Sequence, residues 1–327
     1  MGHEILVLSA KEIRSLISIG EIIDAVRGAY LELSAGVIAP ERMHIDIPEN
    51  KGTILIMPVY SSSGGYMSLK TATLFSGNRD KNLPLLQAVI TLIDGSDGRI
   101  LALMDGSLIT ALRTGAASGV ASGILARDDS KTVAVFGAGI QGRTQLEAVC
   151  AVREIEQAFI FDPHESSADK FAEEMTEMLG IDVKPARDEN ELRKADIICT
   201  ATSSPDPVFK AEFISSGTHI NAIGSYKPHI REIPGEIVAR SRIVMDHKES
   251  CLSEAGDLLI PLKEKLIGKE RLQDEISEII TGNKPGRVSN DEITFFKSVG
   301  HAVQDLASAR LIYDKALETG KGRMISL

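Results

Sequence analysis

The sequence predicts an α/β protein in two parts: a doubly wound Rossmann domain, and an α+β domain built on an antiparallel sheet. Three observations carry this prediction. Between residues 132 and 246, apolar β-prone runs alternate with helical stretches, the pattern of a parallel sheet with crossover helices. A G-x-G-x-x-G run, formed by Gly137, Gly139 and Gly142, directly follows the first of those runs and opens a helix. Ahead of it, between residues 53 and 105, four β-prone runs are separated by turn clusters, which reads as a meander.

Taken in order, residues 11 to 35 carry Ile13, Leu16, Ile17, Ile22, Ile23, Val26, Tyr30 and Leu33 at mostly helical spacing, which predicts two packing helices with a break at Gly20. The runs TILIMPVY (53 to 60), YMSLKTATLF (66 to 75), LLQAVITLID (85 to 94) and RILALMD (99 to 105) then form the meander, with SSSGG, SGNRDKN and DGSDG as its turns. Residues 107 to 126 are a helix rich in Ala, Gly and Ser, a composition that gives up helix propensity to let backbones approach closely, and it is placed as the link between domains.

Beyond the link come TVAVFG (132 to 137), a helix from about 142, AFIFD (158 to 162), a helix through 180, DIICTAT (196 to 202), THINAIG (218 to 224) and RIVMD (242 to 246). A Lys- and Glu-rich stretch follows Asp257, and GNKPGRVSND (282 to 291) reads as a loop. The last stretch, 293 to 318, is read as one helix long enough to pass from one domain back to the other.

Composition excludes several classes of function. With 327 residues, 43% of them hydrophobic, the chain can bury a large core, and its length suits two domains. A net charge of -10, a 4% aromatic content and the lack of Trp exclude a nucleic-acid partner, which needs basic surface and stacking side chains. The N-terminal stretch lacks the order of a signal peptide, and apolar stretches are broken before the roughly 20 residues that span a bilayer, so the expectation is a cytoplasmic protein with no membrane partner. Cys150, Cys199 and Cys251 are odd in number and far apart, consistent with reduced thiols, and no His or Cys spacing predicts a metal.

The glycine run is the first candidate site. Gly137 permits the tight turn, Gly139 lets a pyrophosphate approach the backbone, and Gly142 lets the helix pack closely on the strand, while Ala138, Ile140 and Gln141 supply backbone between them. Free N–H groups and the helix dipole favour the anion there. The next strand ends in Asp162, at the distance where an acid accepts from the adenosine ribose hydroxyls, and this pairing favours a dinucleotide site over a flavodoxin-like fold without one. A carboxylate repels a 2′-phosphate, and neither Pro163 nor His164 neutralises one, so the cofactor is read as NAD rather than NADP. Thr200, Ala201 and Thr202, with Ile223 and Gly224, end the following strands and complete the candidate cofactor-binding set.

Six blocks, LPLLQAVITLID, DGSLITALRTGAAS, FGAGIQGRTQLEAV, GTHINAIGS, EAGDL and DEITFFKSVGHAVQDLASA, resemble in order and spacing the ornithine cyclodeaminase and μ-crystallin family. That family includes cyclodeaminases, alanine dehydrogenases and reductases of cyclic imines such as ketimines and pyrroline carboxylates. The resemblance implies a substrate-binding and dimerisation domain from 1 to 114 plus 304 to 327, a Rossmann domain from 115 to 303, and a homodimer whose substrate-domain sheets close into a barrel. It also implies that Arg42, Lys70 and Arg113 hold the substrate carboxylate, and that Arg113 also belongs, with Thr114 near the cofactor phosphates, to the cofactor-binding set. The chemistry agrees, because fixed cations neutralise a carboxylate and aim the α-carbon at the nicotinamide. Strand alternation sets Ser68, Lys70 and Ala72 on one face, and desolvation beside two guanidiniums would lower the Lys70 pKa and suit it to exchanging a proton with the substrate nitrogen.

Two departures from the family pattern shape the function expected. Where cyclodeaminases and alanine dehydrogenases carry an Asp, aligning GSYKPHIREI places Tyr226, a phenol with a pKa of about 10 that donates a hydrogen bond but is a poor base. Tyr226 is therefore a candidate for handling the substrate nitrogen, or else a pocket wall. Where ornithine cyclodeaminases place a carboxylate, TILIMPVY puts Leu55, which cannot pair with a distal ammonium. Both changes favour NAD-dependent hydride transfer to a preformed cyclic imine, with an alanine dehydrogenase next, and an ornithine cyclodeaminase or a non-catalytic μ-crystallin-like binder as further alternatives. The intact cationic set argues against the binder.

Overall fold

Serines decide where the first helices begin. The computed structural model describes residues 4–326 other than 82; the first three residues of the N-terminal stretch, and the end of the turn cluster 76 to 82, lie outside the described residues. After strand β1 (Glu4–Leu8), Ser9 caps α1 (Ala10–Leu16) and Ser18 caps α2 (Ile19–Gly36), each in a reciprocal capping box with the acid three residues on, Glu12 and Glu21. The break predicted at Gly20 is therefore corrected: the chain turns at Ile17 and Ser18, and Gly20 lies within the first turn of α2.

The meander follows as β2 (Met43–Ile47), β3 (Gly52–Ser61), β4 (Tyr66–Phe75), β5 (Leu86–Asp94) and β6 (Ile100–Asp105), each antiparallel to the next. The sheet is mixed rather than purely antiparallel, because β1 pairs parallel with β6. The next helix, α3 (Gly106–Leu125), is long and apolar enough by composition to cross a membrane, which the sequence reading did not register. Yet 78% of that window is buried inside the protein, as in the core helix of a globular domain.

The second part is an eight-stranded sheet, built from β7 (Thr132–Phe136), α4 (Ile140–Cys150), β8 (Gln157–Phe161), α5 (Glu165–Leu179), β9 (Asp182–Pro185), β10 (Ile197–Thr200), β11 (His219–Ala222), α6 (Gly235–Arg240), β12 (Arg242–Met245), α7 (Lys248–Glu254), α8 (Gly256–Lys263), β13 (Asp274–Glu275), α9 (Ile276–Ile280) and β14 (Thr294–Lys297). Its order is β13-β12-β14-β11-β10-β7-β8-β9, all parallel, so the winding reverses between β7 and β10. Both faces are covered: Ala134, Phe136, Ile198 and Ile220 enter one apolar cluster, and Val133, Val135, Ile197 and Cys199 the other. Strands buried on both sides read as continuous apolar runs, which is why they were legible.

The chain closes with α10 (Ala302–Thr319) and β15 (Arg323–Ser326), which pairs antiparallel with β1. Here the prediction of one helix over 293 to 318 is corrected. Thr294, Phe295, Phe296 and Lys297 form a fully buried central strand, and the helix starts only after Gly300, at φ +77°, and the cap His301. A four-residue strand buried on both faces has no alternation to reveal it, and its Phe residues fit a helical stripe equally well. By contacts the chain divides into two units, Met1–Arg113 with His301–Leu327, and Thr114–Gly300, the boundary falling inside α3.

Candidate active site

In the first unit, Lys70 sits mid-strand in β4, flanked across the sheet by Met57 of β3 and Ile90 of β5. Ser68, Lys70 and Ala72 are buried on one face, against which α10 packs. Such a position strips an ammonium of water, a cost that is tolerable only with an opposing charge. Asp305 supplies that charge: its Oδ2 accepts from Lys70 Nζ at 2.6 Å and its Oδ1 from Arg113 Nε at 3.0 Å. Arg113 Nη1 also donates to Gln304 Oε1 at 3.0 Å, and Gln304 Nε2 donates to the Tyr30 hydroxyl at 2.9 Å.

Burial pulls the Lys70 pKa down to about 8, against the opposing pull of Asp305, and the guanidiniums of Arg113 and Arg42 add to the lowering. Arg42, half-buried just before β2, is thus near enough for its charge to bear on Lys70. Burial alone would raise the Asp305 pKa, but Arg113 and Lys70 outweigh it and hold the carboxyl below its usual range. Asp305 escaped the sequence reading because an Asp in the first turn of a helix is ordinary dipole chemistry, and only the fold aims it at β4. Leu55, opposite Ala72 in register, is buried on the same strand face as Met57, so an apolar group stands there.

In the second unit, the candidate dinucleotide residues gather at the C-terminal ends of β7, β8, β10 and β11, where the strand order reverses. Gly137 takes φ +102°, and a Cβ there would meet Ala201 O at 2.6 Å; one on Gly142 would meet Gly137 O at 2.0 Å. The glycines are thus required by close approach. Gly139 caps α4 without a side chain, leaving the helix N-terminus open to an anion. Asp162 lies beside this turn, accepting from Ala138 N at 2.8 Å and His164 N at 2.9 Å. Arg143, which the sequence reading did not weigh, donates to Ala138 O and is tied to Glu174, so its charge is already matched. Ile140 is exposed, Gln141 stands in the first turn of α4, and the Thr114 carbonyl accepts from Gln145 of α4 at 3.2 Å.

A buried acid, Glu232, was also missed. Its carboxylate accepts from Thr202 N and Oγ1 at 2.7 Å each, from Thr200 Oγ1 at 3.0 Å and from Ser225 N at 3.1 Å, and it lies against Gly224. Ile223 N and Gly224 N donate to Thr200 O, so the two strand ends are sewn together. Burial raises the Glu232 pKa, with Asp257 adding to it, while Lys297 and Thr202 oppose. Lys297 pairs with Asp257 at 2.7 Å and holds the Ser225 carbonyl. Tyr226 follows, half-buried and packed against the apolar cluster of the sheet. Among the described residues, no group of three or more His, Cys, Asp or Glu side chains could hold a metal.

The dinucleotide fits this turn: two glycines whose close approach leaves no room for a Cβ, a third that faces open space, an open helix N-terminus and an acid at the end of the next strand. The sequence model of the ornithine cyclodeaminase/mu-crystallin family matches residues 3–320. A Δ1-pyrroline-2-carboxylate reductase of Bacillus cereus is 38% identical over 323 residues, 98% of this chain and 99% of its own. The structure of the Thermococcus litoralis Δ1-pyrroline-2-carboxylate reductase in complex with NADH and L-proline superposes with a TM-score of 0.94 at 45% identity, covering 98% of this chain and 99% of that one. An archaeal alanine dehydrogenase dimer with bound NAD follows at 0.91 and 37%, covering 98% and 99%.

Proposed function

The chain belongs to the ornithine cyclodeaminase/mu-crystallin family, and from that premise we propose that it reduces a cyclic imino acid of the Δ1-pyrroline-2-carboxylate type to the cyclic amino acid, using NADH. The observation that carries this reading is the buried cationic set of Lys70 and Arg113 in the first unit, with an apolar residue, Leu55, where a distal ammonium would need a carboxylate. The Bacillus cereus and Thermococcus litoralis relatives, which are reductases of that imine, support the same reading, while the archaeal alanine dehydrogenase is a lesser match.

Each residue has a part in the proposed reaction. Arg113 and Arg42 neutralise and orient the substrate carboxylate. Lys70 donates a proton to the substrate nitrogen as hydride reaches the adjacent carbon: the Nζ–H bond breaks, its electron pair stays on Nζ, and the π pair of the C=N bond takes up the proton as the N–H bond forms. The bound dinucleotide supplies the hydride, so one hydride and one proton convert imine to amine. Gly137 to Gly142 would hold its pyrophosphate and Asp162 its ribose, with Thr114, Thr200 to Thr202, Ile223 and Gly224 completing the residues that would hold it. Tyr226 is assigned to the wall of the substrate pocket. Without an acid at that position, attack by water, which deamination requires, lacks a base.

A homodimer through the outer face of the first sheet completes the reading. Its support is a cross-strand row, Met43, Ile56, Thr71 and Val89, in which Met43 and Val89 are 57% and 42% exposed. Three free thiols, Cys150, Cys199 and Cys251, suit a reducing cytoplasm. The test is NADH oxidation with pyrroline-2-carboxylate and with pyruvate plus ammonia, together with assay of proline and ammonia released from ornithine. Turnover of the cyclic imine is expected. Turnover of pyruvate plus ammonia alone would make the chain an alanine dehydrogenase and sink the proposal.

A further inference from the structure

We propose that Asp305 is the positioning residue of the carboxylate clamp: its two oxygens bridge Lys70 and Arg113, keeping the lysine charged and turning the unused edge of the guanidinium toward the substrate. The inference rests on the reaction proposed above and assigns a role to a residue outside the cationic set.

The donor inventory leads there. Arg113 commits Nε to Asp305 and one Nη1 hydrogen to Gln304, while its Nη2 donates to none of the described residues. Two of the three Lys70 hydrogens likewise have no acceptor among the described residues, although the side chain is only 3% exposed. Both side chains are largely withdrawn from solvent, so donors left over on two adjacent cations offer a place for an anion. Asp305 fixes which donors those are. It holds one hydrogen of each cation on the protein side, and because Gln304 is its neighbour on α10, the same helix turn sets the plane of the guanidinium.

Among the described residues, the charges facing Lys70 are Asp305 from α10, Arg113 from α3 and Arg42 from the segment before β2; β3 and β5 present Met57 and Ile90, and the Tyr30 hydroxyl of α2 accepts from Gln304. Asp305 is thus the one anion among them. Without it, burial and two guanidiniums all favour a neutral amine, which has no proton to give.

The test uses the full-length protein with NADH bound, in two variants. Asp305→Asn keeps the shape and removes the charge. Nuclear magnetic resonance of labelled lysine Nζ groups, with the Lys70 signal assigned by its loss in Lys70→Met, should show the Lys70 midpoint moving down by about one pH unit or more. An unmoved midpoint in folded Asp305→Asn overturns the proposal. Asp305→Glu keeps the charge and displaces it by one methylene. It should raise KM for the imino acid about tenfold or more while kcat changes less, and unchanged KM overturns the proposal even if the Asn variant fails to fold. A shifted Lys70 midpoint in a protein that reduces no imino acid would sink the substrate reading alone and leave Asp305 its hold on Lys70.

Discussion

Lys70 and Asp305 stand 235 residues apart in the chain, yet their charged atoms lie 2.6 Å apart and both side chains are almost wholly withdrawn from solvent. A strand of the meander and the returning helix are thereby tied by one ion pair. The pair shapes how the protein should respond to pH.

Imine reduction consumes a proton, and in the reaction proposed above Lys70, with a pKa of about 8, gives it. Below that value the lysine is charged and competent; above it the donor is lost. The kcat/KM for imine reduction should therefore be level in mildly acidic to neutral solution and fall with rising pH through about 8. Amino-acid oxidation needs the neutral base and should rise through the same value. Lys70→Met should remove that limb and cost about two to four orders of magnitude in kcat. A limb that survives in Lys70→Met belongs to another group.

Gly139 offers a clean probe of the cofactor. A Cβ built on it meets nothing within 4 Å, unlike one on Gly137 or Gly142. Gly139→Ala should leave the melting temperature within a degree or two while weakening NADH binding about tenfold or more, because only the pyrophosphate needs that space. Calorimetric titration with NADH checks it, and wild-type affinity would mean that the dinucleotide takes a different path.

Legibility followed periodicity. The glycine turn, Asp162 and the parallel strands were readable because each signal is local, a fixed spacing or a continuous apolar run. Asp305, Glu232 and Lys297 were not, because each is an ordinary polar letter until the fold buries it beside a partner 235, 30 and 40 residues away. The strand Thr294–Lys297 was missed because its apolar run is only Phe295 and Phe296, too short to stand out between Thr294 and Lys297 and just ahead of a helical pattern. Resemblance supplied the cationic set, since an Arg or Lys in isolation is most often a surface group.

The proposed role of Asp162 at the adenosine ribose makes a prediction about cofactor choice. Its carboxylate is anchored beside the turn by the N–H groups of Ala138 and His164, so it cannot swing away from a 2′-phosphate, and the nearby Arg143 is neutralised by Glu174. NADPH should show a kcat/KM at least about tenfold below that of NADH, and Asp162→Ser should narrow the gap by raising NADPH use and weakening NADH. Steady-state kinetics with both cofactors decide it, and a wild-type preference for NADPH would contradict the assignment.

The start of α2 separates two readings of the same stretch. If Ser18 is the cap, its hydroxyl accepts from Glu21 N and its loss leaves helix donors unpaired, so Ser18→Ala should cost about 1 kcal/mol and lower the melting temperature by a few degrees. Gly20 then lies in a helical turn with a negative φ, and a Cβ there would meet only the Ser18 hydroxyl oxygen, at 4.0 Å. Gly20→Ala should accordingly stabilise the protein by about 0.5 to 1 kcal/mol, through higher helix propensity and a less flexible unfolded chain. Were Gly20 the break, the signs would reverse, with Ala at 20 destabilising and Ala at 18 nearly neutral. Thermal melts of the two single variants, made side by side, therefore decide between a helix set by a hydroxyl and one interrupted by a glycine.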